Sequence, residues 1–480
     1  MDFAANGPRG GEMVQAAESS STKPARFQAL TALAESEFRW FMAGNMAFFM
    51  AMQMQFVLRG YLAFELTRSA GSLGLIALAM GMPMLIAAPF GGAIADRMNK
   101  RTLLIITQSG AAIASVMIAV LIIGGWIEFW HLLVVSLVTG MIFSFNMPAR
   151  QALVPQLVPR HKLMNAISLQ MGGMTFTQIA SPAVAGLLIG PFGAGWVYAM
   201  TAVLFCMATY TEFHLPKHGM TAQANAGPML TDMRAGFTYV FGHPLIRVLM
   251  LTGFLMPLLG FPVQQLLPVF AREVYGRGPE VLGMLAAMTG VGGLVGAAIS
   301  ANMDKKPRKG LLLLGGAALT GVSLLGFALA PNLAVAMLGL ALAGVGQMLF
   351  QATHSAVIQT TVAPEIRARV MSLMMMTFGL MPLGVLPITA AADTYGAPNA
   401  VAVAACLFLA TMALVFIFVP GLLRLRIDAL SRAELSPVRA AEMVAQGKIT
   451  QAEADRMTGV GGGRPAAEAA GQAEAVETRG

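Results

Sequence analysis

Two early stretches of the chain, Leu73 to Ala95 and Thr102 to Ile127, contain no charged residue. A bilayer core about 30 Å thick is crossed by about 20 apolar residues in a helix. No water is present there to satisfy peptide groups, so a spanning run is either a helix or a strand of a closed barrel. These runs are too long and too uniformly apolar for barrel strands, and they predict helices. The same pattern along the chain predicts spans at about 40–64, 73–95, 102–124, 130–147, 164–190 and 194–213. A hydrophilic stretch, 214–243, precedes a second set at about 246–270, 281–301, 310–330, 333–359, 370–391 and 398–420. The fold class expected is an all-α membrane protein with twelve transmembrane helices in two pseudo-symmetric six-helix bundles.

An internal repeat supports the division. Gly91 to Arg101 aligns with Gly296 to Lys306 at an offset of 205 residues, and the same offset places Pro159 on Pro364. Two such units in parallel are a recognised transporter plan, with the substrate site between them near mid-membrane. The expected organisation is a disordered cytoplasmic lead over 1–36, a first bundle over 37–213, a linker over 214–243, a second bundle over 244–420 and a cytoplasmic tail over 421–480. The polar start shows no cleavable signal peptide. In the tail, Ser436-Pro437 and the capping box from Thr450 to Glu453 predict two short helices, about 437–446 and 451–457, followed by a disordered end. A monomer is expected, with self-association through this hairpin as the alternative to a passive appendix.

Lysine and arginine set the orientation. The connections on one side hold Arg97, Lys100, Arg101, Arg150, Arg160, Lys162, Lys217, Arg234, Lys305, Lys306, Arg308, Lys309, Arg367 and Arg369; the other side holds Arg68, Arg272 and Arg277. The positive-inside rule puts the first group, and hence both termini, in the cytoplasm. Composition agrees: 56% of residues are hydrophobic and 11% charged, against about 25% charged in soluble proteins. The net charge of +8 lies in short loops, so nucleic acid is not an expected partner. Cys206 and Cys406 sit in apolar runs and are expected to pack in the core. His214 and His218 flank Pro216, which argues against a helical metal pair. No metal site or cofactor is expected, and no phosphate loop offers ATP drive.

The candidate chemistry is polar and intramembrane. Asn45, Gln55 and Arg59 fall within about 80° on one helix face at about 100° per residue. A central arginine costs about 2.5–3.5 kcal/mol on insertion scales and usually faces protein or a wet cavity. Arg59 therefore reads either as a cavity cation for an anionic or carbonyl-rich substrate, or as a residue that snorkels outward or pairs with Glu65. Gln264 is its repeat equivalent, and Gln265 adjoins it. Gln347, Gln351 and His354 share a face of the tenth span and suit either cavity lining or interhelical hydrogen bonding. Gln170, Thr177 and Ser181 make a weaker stripe, with Gln178 offset. No acidic residue is expected at mid-membrane, so proton coupling, the natural drive for such a carrier, has no legible relay. Near the membrane edge, Gly92, Asp96, Arg97, Arg101 and Arg150 read either as a charge latch between conformations or as a topogenic loop with a solvated aspartate.

The segment from Gly92 to Arg101 resembles the cytoplasmic loop motif of the major facilitator superfamily, with Asn99 in place of the usual second glycine as a residue that tolerates a left-handed turn. Asn146 to Pro159, Leu163 to Ala166, Arg59 to Thr67, Leu266 to Arg272 and Arg369 to Leu373 resemble its enterobactin-exporter-like branch of transmembrane secretion effectors. The resemblance covers about residues 37–420. It implies alternating access, export of siderophore- or drug-like molecules, and a latch role for Asp96 against the second bundle. Thr177 to Pro182 matches the antiporter-type helix-five motif only in part, and Ala301 stands where the first copy has Asp96.

The function expected is a secondary exporter of small amphiphilic or anionic organic molecules in the bacterial cytoplasmic (inner) membrane. An importer or facilitator on the same fold is the alternative. A membrane-embedded enzyme or a sensor is remote, because the spans offer amides rather than convergent catalytic groups.

Overall fold

The computed structural model describes residues 31–216, 229–303 and 309–419, apart from 363–365, 367–369, 372, 375, 376 and 378; for 88–97 and 229–235 it describes the backbone alone. The first half contains α1 (Ser36–Thr67), α2 (Gly71–Arg97), α3 (Lys100–Ile123), α4 (Phe129–Leu157) and α5 (Leu163–Glu212). The second contains α6 (Met229–Gly242), α7 (Pro244–Leu255), α8 (Pro262–Val269), α9 (Pro279–Met303), α10 (Lys309–Ala328), α11 (Leu333–Thr361), α12 (Pro382–Tyr395) and α13 (Ala397–Phe418). Among the described residues, nine helical segments are long and apolar enough to cross a membrane, and a shorter one covers Gly71–Ala87.

Local chemistry explains several boundaries. Asn99 caps α3, its side chain accepting from the Arg101 and Thr102 amides. Its φ of −62° and ψ of 119° are extended, so the tolerance of a left-handed turn noted for asparagine is not used here: the side-chain amide, not backbone freedom, suits asparagine to the site. The 50 residues of α5 would reach about 75 Å at 1.5 Å per residue, more than twice the bilayer core. Gly193, at φ 78° and ψ 156°, breaks the helix and separates two spans. The stretch expected as a plain linker holds α6. The two helices expected in the tail lie outside the described residues.

The second half differs from the first at its entry helix. Where α1 runs unbroken for 32 residues, its counterpart is divided. α7 passes into a widened π-turn at Met256–Gly260, then α8, then a second π-turn at Phe270–Val274. Pro257, Pro262 and Pro268 lie along this stretch and remove backbone donors, which loosens the helical ladder.

Within the first half α1 and α3 pack along α5, and α2 along α4; within the second, α11 packs along α9 and α10. Two seams join the halves, α5 against α9 and α2 against α12. Small residues allow the close approach. A methyl on Gly186 would lie 2.6 Å from both the Gly283 Cα and the Pro279 carbonyl oxygen. Outward faces carry exposed Ile113, Val120, Val203, Leu338, Val403 and Ile417. In water such a belt would drive aggregation; it is the face the protein presents to lipid. Cys206 and Cys406 belong to this outer surface, which corrects the core placement expected for them. A lipid-facing helix side is as apolar as a protein core, so hydropathy does not separate the two.

Candidate functional site

A cavity of about 290 Å³ lies between the halves. From the first half, α1 lines it with Gln53, Phe56, Val57 and Gly60, and α5 with Gln178 and Pro182. The spacing on α1 is i, i+3, i+4 and i+7, one helix face. From the second half come Gln264 and Gln265 on α8, and Gln347, Met348 and Gln351 on α11, with Thr289 and glycines on α9 and Met256 and Phe261 at the first π-turn. The broken helix thus forms part of the wall. Six glutamine amides meet in one apolar chamber.

The structure divides the residues singled out from sequence. Gln178, Gln264, Gln265, Gln347 and Gln351 are on the cavity wall; Asn45, Gln55, Arg59 and His354 are elsewhere. Gln55 and Arg59 face the interior of the first half. The Gln55 amide donates to Ser115 Oγ (2.6 Å) and Thr201 Oγ1 (3.1 Å). Arg59 Nε donates to the Gln55 carbonyl at 3.2 Å, and the side chain is 2% exposed. Glu65 pairs instead with Arg68 at 2.7 Å, with Arg272 at 3.9 Å. The stripe on α1 is real, but it is the other face, the one that carries Gln53, that meets the cavity. His354 shares a helix face with Gln347 and Gln351, yet a face is a line and the chamber covers only part of it. Farther along, Gly253 makes room for the imidazole on α7, and Nε2 lies 2.7 Å from the Leu249 carbonyl.

A second polar assembly is closed inside the first half. Arg150 on α4 donates from Nε to Asn146 Oδ1 (2.6 Å) and from Nη1 to Asn45 Oδ1 (3.0 Å). Its Nη2 lies 3.7 Å from Glu212 Oε1, and both side chains are at most 1% exposed. Gln108 donates to the same Glu212 oxygen at 3.1 Å. The Phe48 ring covers the guanidinium at 4.3 Å. Arg101 donates to the Glu212 and Phe213 carbonyls, each at 2.9 Å, a cation satisfying the C-terminal carbonyls of α5. Arg101 and Arg150, expected in a latch with Asp96, are thus engaged within their own half. Gly92, Asp96 and Arg97 lie on the last turns of α2, where the backbone alone is described. Glu212 was missed because it ends an apolar run beside His214 and reads as a solvated span end. Gln53 was missed because the neighbouring stripe drew attention to the other face.

One end of the seam is clasped. Asp393, on α12 of the second half, accepts from Ser69 Oγ (2.7 Å), the Ala70 amide and the Gly71 amide (2.9 Å), at the start of α2 in the first half. A carboxylate there satisfies orphan helix donors and sits at the positive end of the helix dipole. Among the described residues, cross-half packing continues inward to Gly379 against Leu85 and Gly290 against Gln178. Beyond, toward the start of α5, Met164, Met171 and Phe176 are exposed.

A family model described as transmembrane secretion effector, a branch of the major facilitator superfamily, matches residues 27–447. The chain belongs to this family. Among similar curated proteins, the staphyloferrin A transporter of Staphylococcus aureus is 24% identical over 68% of this chain and 81% of its own length. Macrolide efflux protein A of Streptococcus pyogenes is 23% identical over 71% of this chain and 86% of its own. The enterobactin exporter of Shigella boydii is 26% identical, over 52% and 59% respectively. Among solved structures, the nucleoside transporter NupG superposes with a TM-score of 0.64 at 15% identity, covering 81% of this chain and 99% of that one. A bacterial homologue of the lysosomal transporter Spinster gives 0.59 at 15% identity, covering 85% and 99%. At these identities the likeness is one of fold. The secretion effector family and its fold neighbours are transporters, and this chain is a multi-pass membrane protein of that kind.

Proposed function

We propose that this chain is a secondary exporter of small organic molecules, working by alternating access around the glutamine-lined cavity. The observation that carries the reading is that both halves line one chamber while, among the described residues, their contacts gather toward the Asp393 end. Rocking the halves would break those contacts and form others at the opposite end, exposing the chamber to each side in turn. By the distribution of lysine and arginine, the opposite end faces the cytoplasm of a bacterial cell and the substrate enters from there. The named roles of the relatives favour outward flux of siderophore- or macrolide-like compounds. Matched strains with the gene expressed or deleted test this by accumulation of labelled compounds: accumulation that falls on expression supports export, and accumulation that rises overturns it.

The proposed driving ion is the proton, exchanged at Glu212. This carboxylate is buried, faces Arg150 on α4 and Arg101 and Gln108 on α3, and has its Oε2 without a hydrogen-bond partner among the described residues. Protonation would release Arg150 from its ion pair and loosen the first half internally. In proteoliposomes, Glu212→Gln should keep substrate binding and lose the response to a pH gradient; an unaltered response would remove Glu212 from coupling.

A further inference from the structure

Resting on the transport reading above, we infer that the cavity selects uncharged, hydrogen-bonding amphiphiles, such as lactones, amides and polyols on an apolar frame, and rejects ions of either sign. The polar lining is six glutamines: Gln53, Gln178, Gln264, Gln265, Gln347 and Gln351. They come from α1 and α5 of one half and α8 and α11 of the other, so a ligand between them is held from both sides. Among the described residues that line the chamber there is no aspartate, glutamate, lysine, arginine or histidine. None of the six amides has a side-chain hydrogen bond to another described residue, in contrast to Gln55 and Gln108, whose amides are engaged inside the first half. The six are therefore available to a ligand.

A primary amide offers two donors and a carbonyl acceptor in a neutral group. Six of them can rotate to meet an irregular pattern of carbonyls, hydroxyls and N–H groups, while the methionine and phenylalanine wall covers the apolar frame. A permanent ion gains nothing comparable. It leaves water for a chamber with no counter-charge, and burying a charge without a partner is costly. The one buried cation that sequence suggested for the cavity, Arg59, is turned into the first half. The buried ion pair of Arg150 with Glu212, and the Asp393 carboxylate hydrogen-bonded to the start of α2, are likewise committed elsewhere.

The test is binding to purified full-length protein, read as a thermal shift and by titration, with probes of three charge classes. Chloramphenicol, Nile red and a neutral macrolactone aglycone form the uncharged set; tetraphenylphosphonium and rhodamine 6G the cations; fluorescein and taurocholate the anions. The wild type should bind at least one neutral probe at least tenfold more tightly than any ion. Gln347→Leu with Gln351→Leu should abolish that binding. Gln347→Glu should gain at least tenfold in tetraphenylphosphonium affinity, and Gln347→Lys in fluorescein affinity. The charge-gain variants read the cavity even if the double leucine variant folds poorly. Equal or tighter binding of an ion by the wild type overturns the inference, as does failure of every probe to bind it, or charge-gain variants whose ion affinity matches wild type. An export assay that fails while these results hold would overturn the transport direction alone.

Discussion

Replacing Asp393 by alanine removes an acceptor that joins the two halves at one end only. Three donors lose their partner: Ser69 Oγ and the Ala70 and Gly71 amides. Capping a helix start with a side-chain oxygen is worth about 0.5–2 kcal/mol. The dipole term adds about 0.3–1 kcal/mol at an exposed site, and water partly replaces the lost bonds here. A net loss of about 1–2 kcal/mol is expected, a factor of about 5–30 in the ratio of closed to open at that end. In the proposed cycle the contact is made in one conformation and broken in the other, so its loss shifts the population rather than only the stability. Asp393→Asn retains an acceptor and caps about as well as aspartate, so it should recover most of the effect. Spin labels on Trp126 and Leu329, both exposed and on different halves, report the width of that end in a background lacking Cys206 and Cys406. The alanine variant should move the distance distribution toward the longer population, and the asparagine variant should leave it near wild type. An alanine variant with an unchanged distribution would refute the clasp.

Three further outcomes are expected. Glu212→Ala leaves Arg150 buried without its partner and should cost about 3–5 kcal/mol of stability, read as a lower melting temperature in detergent; Arg150→Met with Glu212→Leu should restore most of it, and a double variant as weak as the single one would show the pair is not coupled. Gly186→Val forces α5 away from α9, where even a methyl meets backbone at 2.6 Å, and should cut transport at least tenfold on the scale of about 1.4 kcal/mol per decade; Gly190→Val, with open space beside it, should be near wild type, and equal loss in both would point to general misfolding. Arg59→Gln should lower the melting temperature and leave the preference for neutral over anionic probes unchanged, because the guanidinium packs inside the first half; an altered affinity confined to anions would return Arg59 to the cavity.

The spans were legible because a bilayer imposes one requirement, length of uninterrupted apolar helix, that local composition states directly. The glutamines on α8 and α11 were legible for a related reason: amides in mid-span have few uses. Which face of α1 meets the cavity was not. The interior of a six-helix bundle and the chamber between two bundles both ask for inward polar groups, so Asn45, Gln55 and Arg59 satisfy either description, and helix rotation decides. Glu212 shows the same difficulty along the helix axis. A carboxylate at the end of an apolar run looks hydrated until the fold brings Arg150, Arg101 and Gln108 around it. The Asp393 clasp depends on residues more than 300 apart in sequence, a separation no local pattern reports.

The polar assembly of Asn45, Gln108, Asn146, Arg150 and Glu212 draws on the first half alone. That half therefore holds everything needed to settle its own interior before the rest of the chain is made. The second half trails it by a repeat length of 205 residues, about 10–40 s of synthesis at about 5–20 residues per second. During that interval the seam faces of α2 and α5, shaped by Gly74, Gly81 and Gly186 for a protein neighbour, meet only lipid. The first half is thus a nascent scaffold with an uncovered face, and variants that weaken its interior should be lost to quality control during biogenesis, before any substrate is carried.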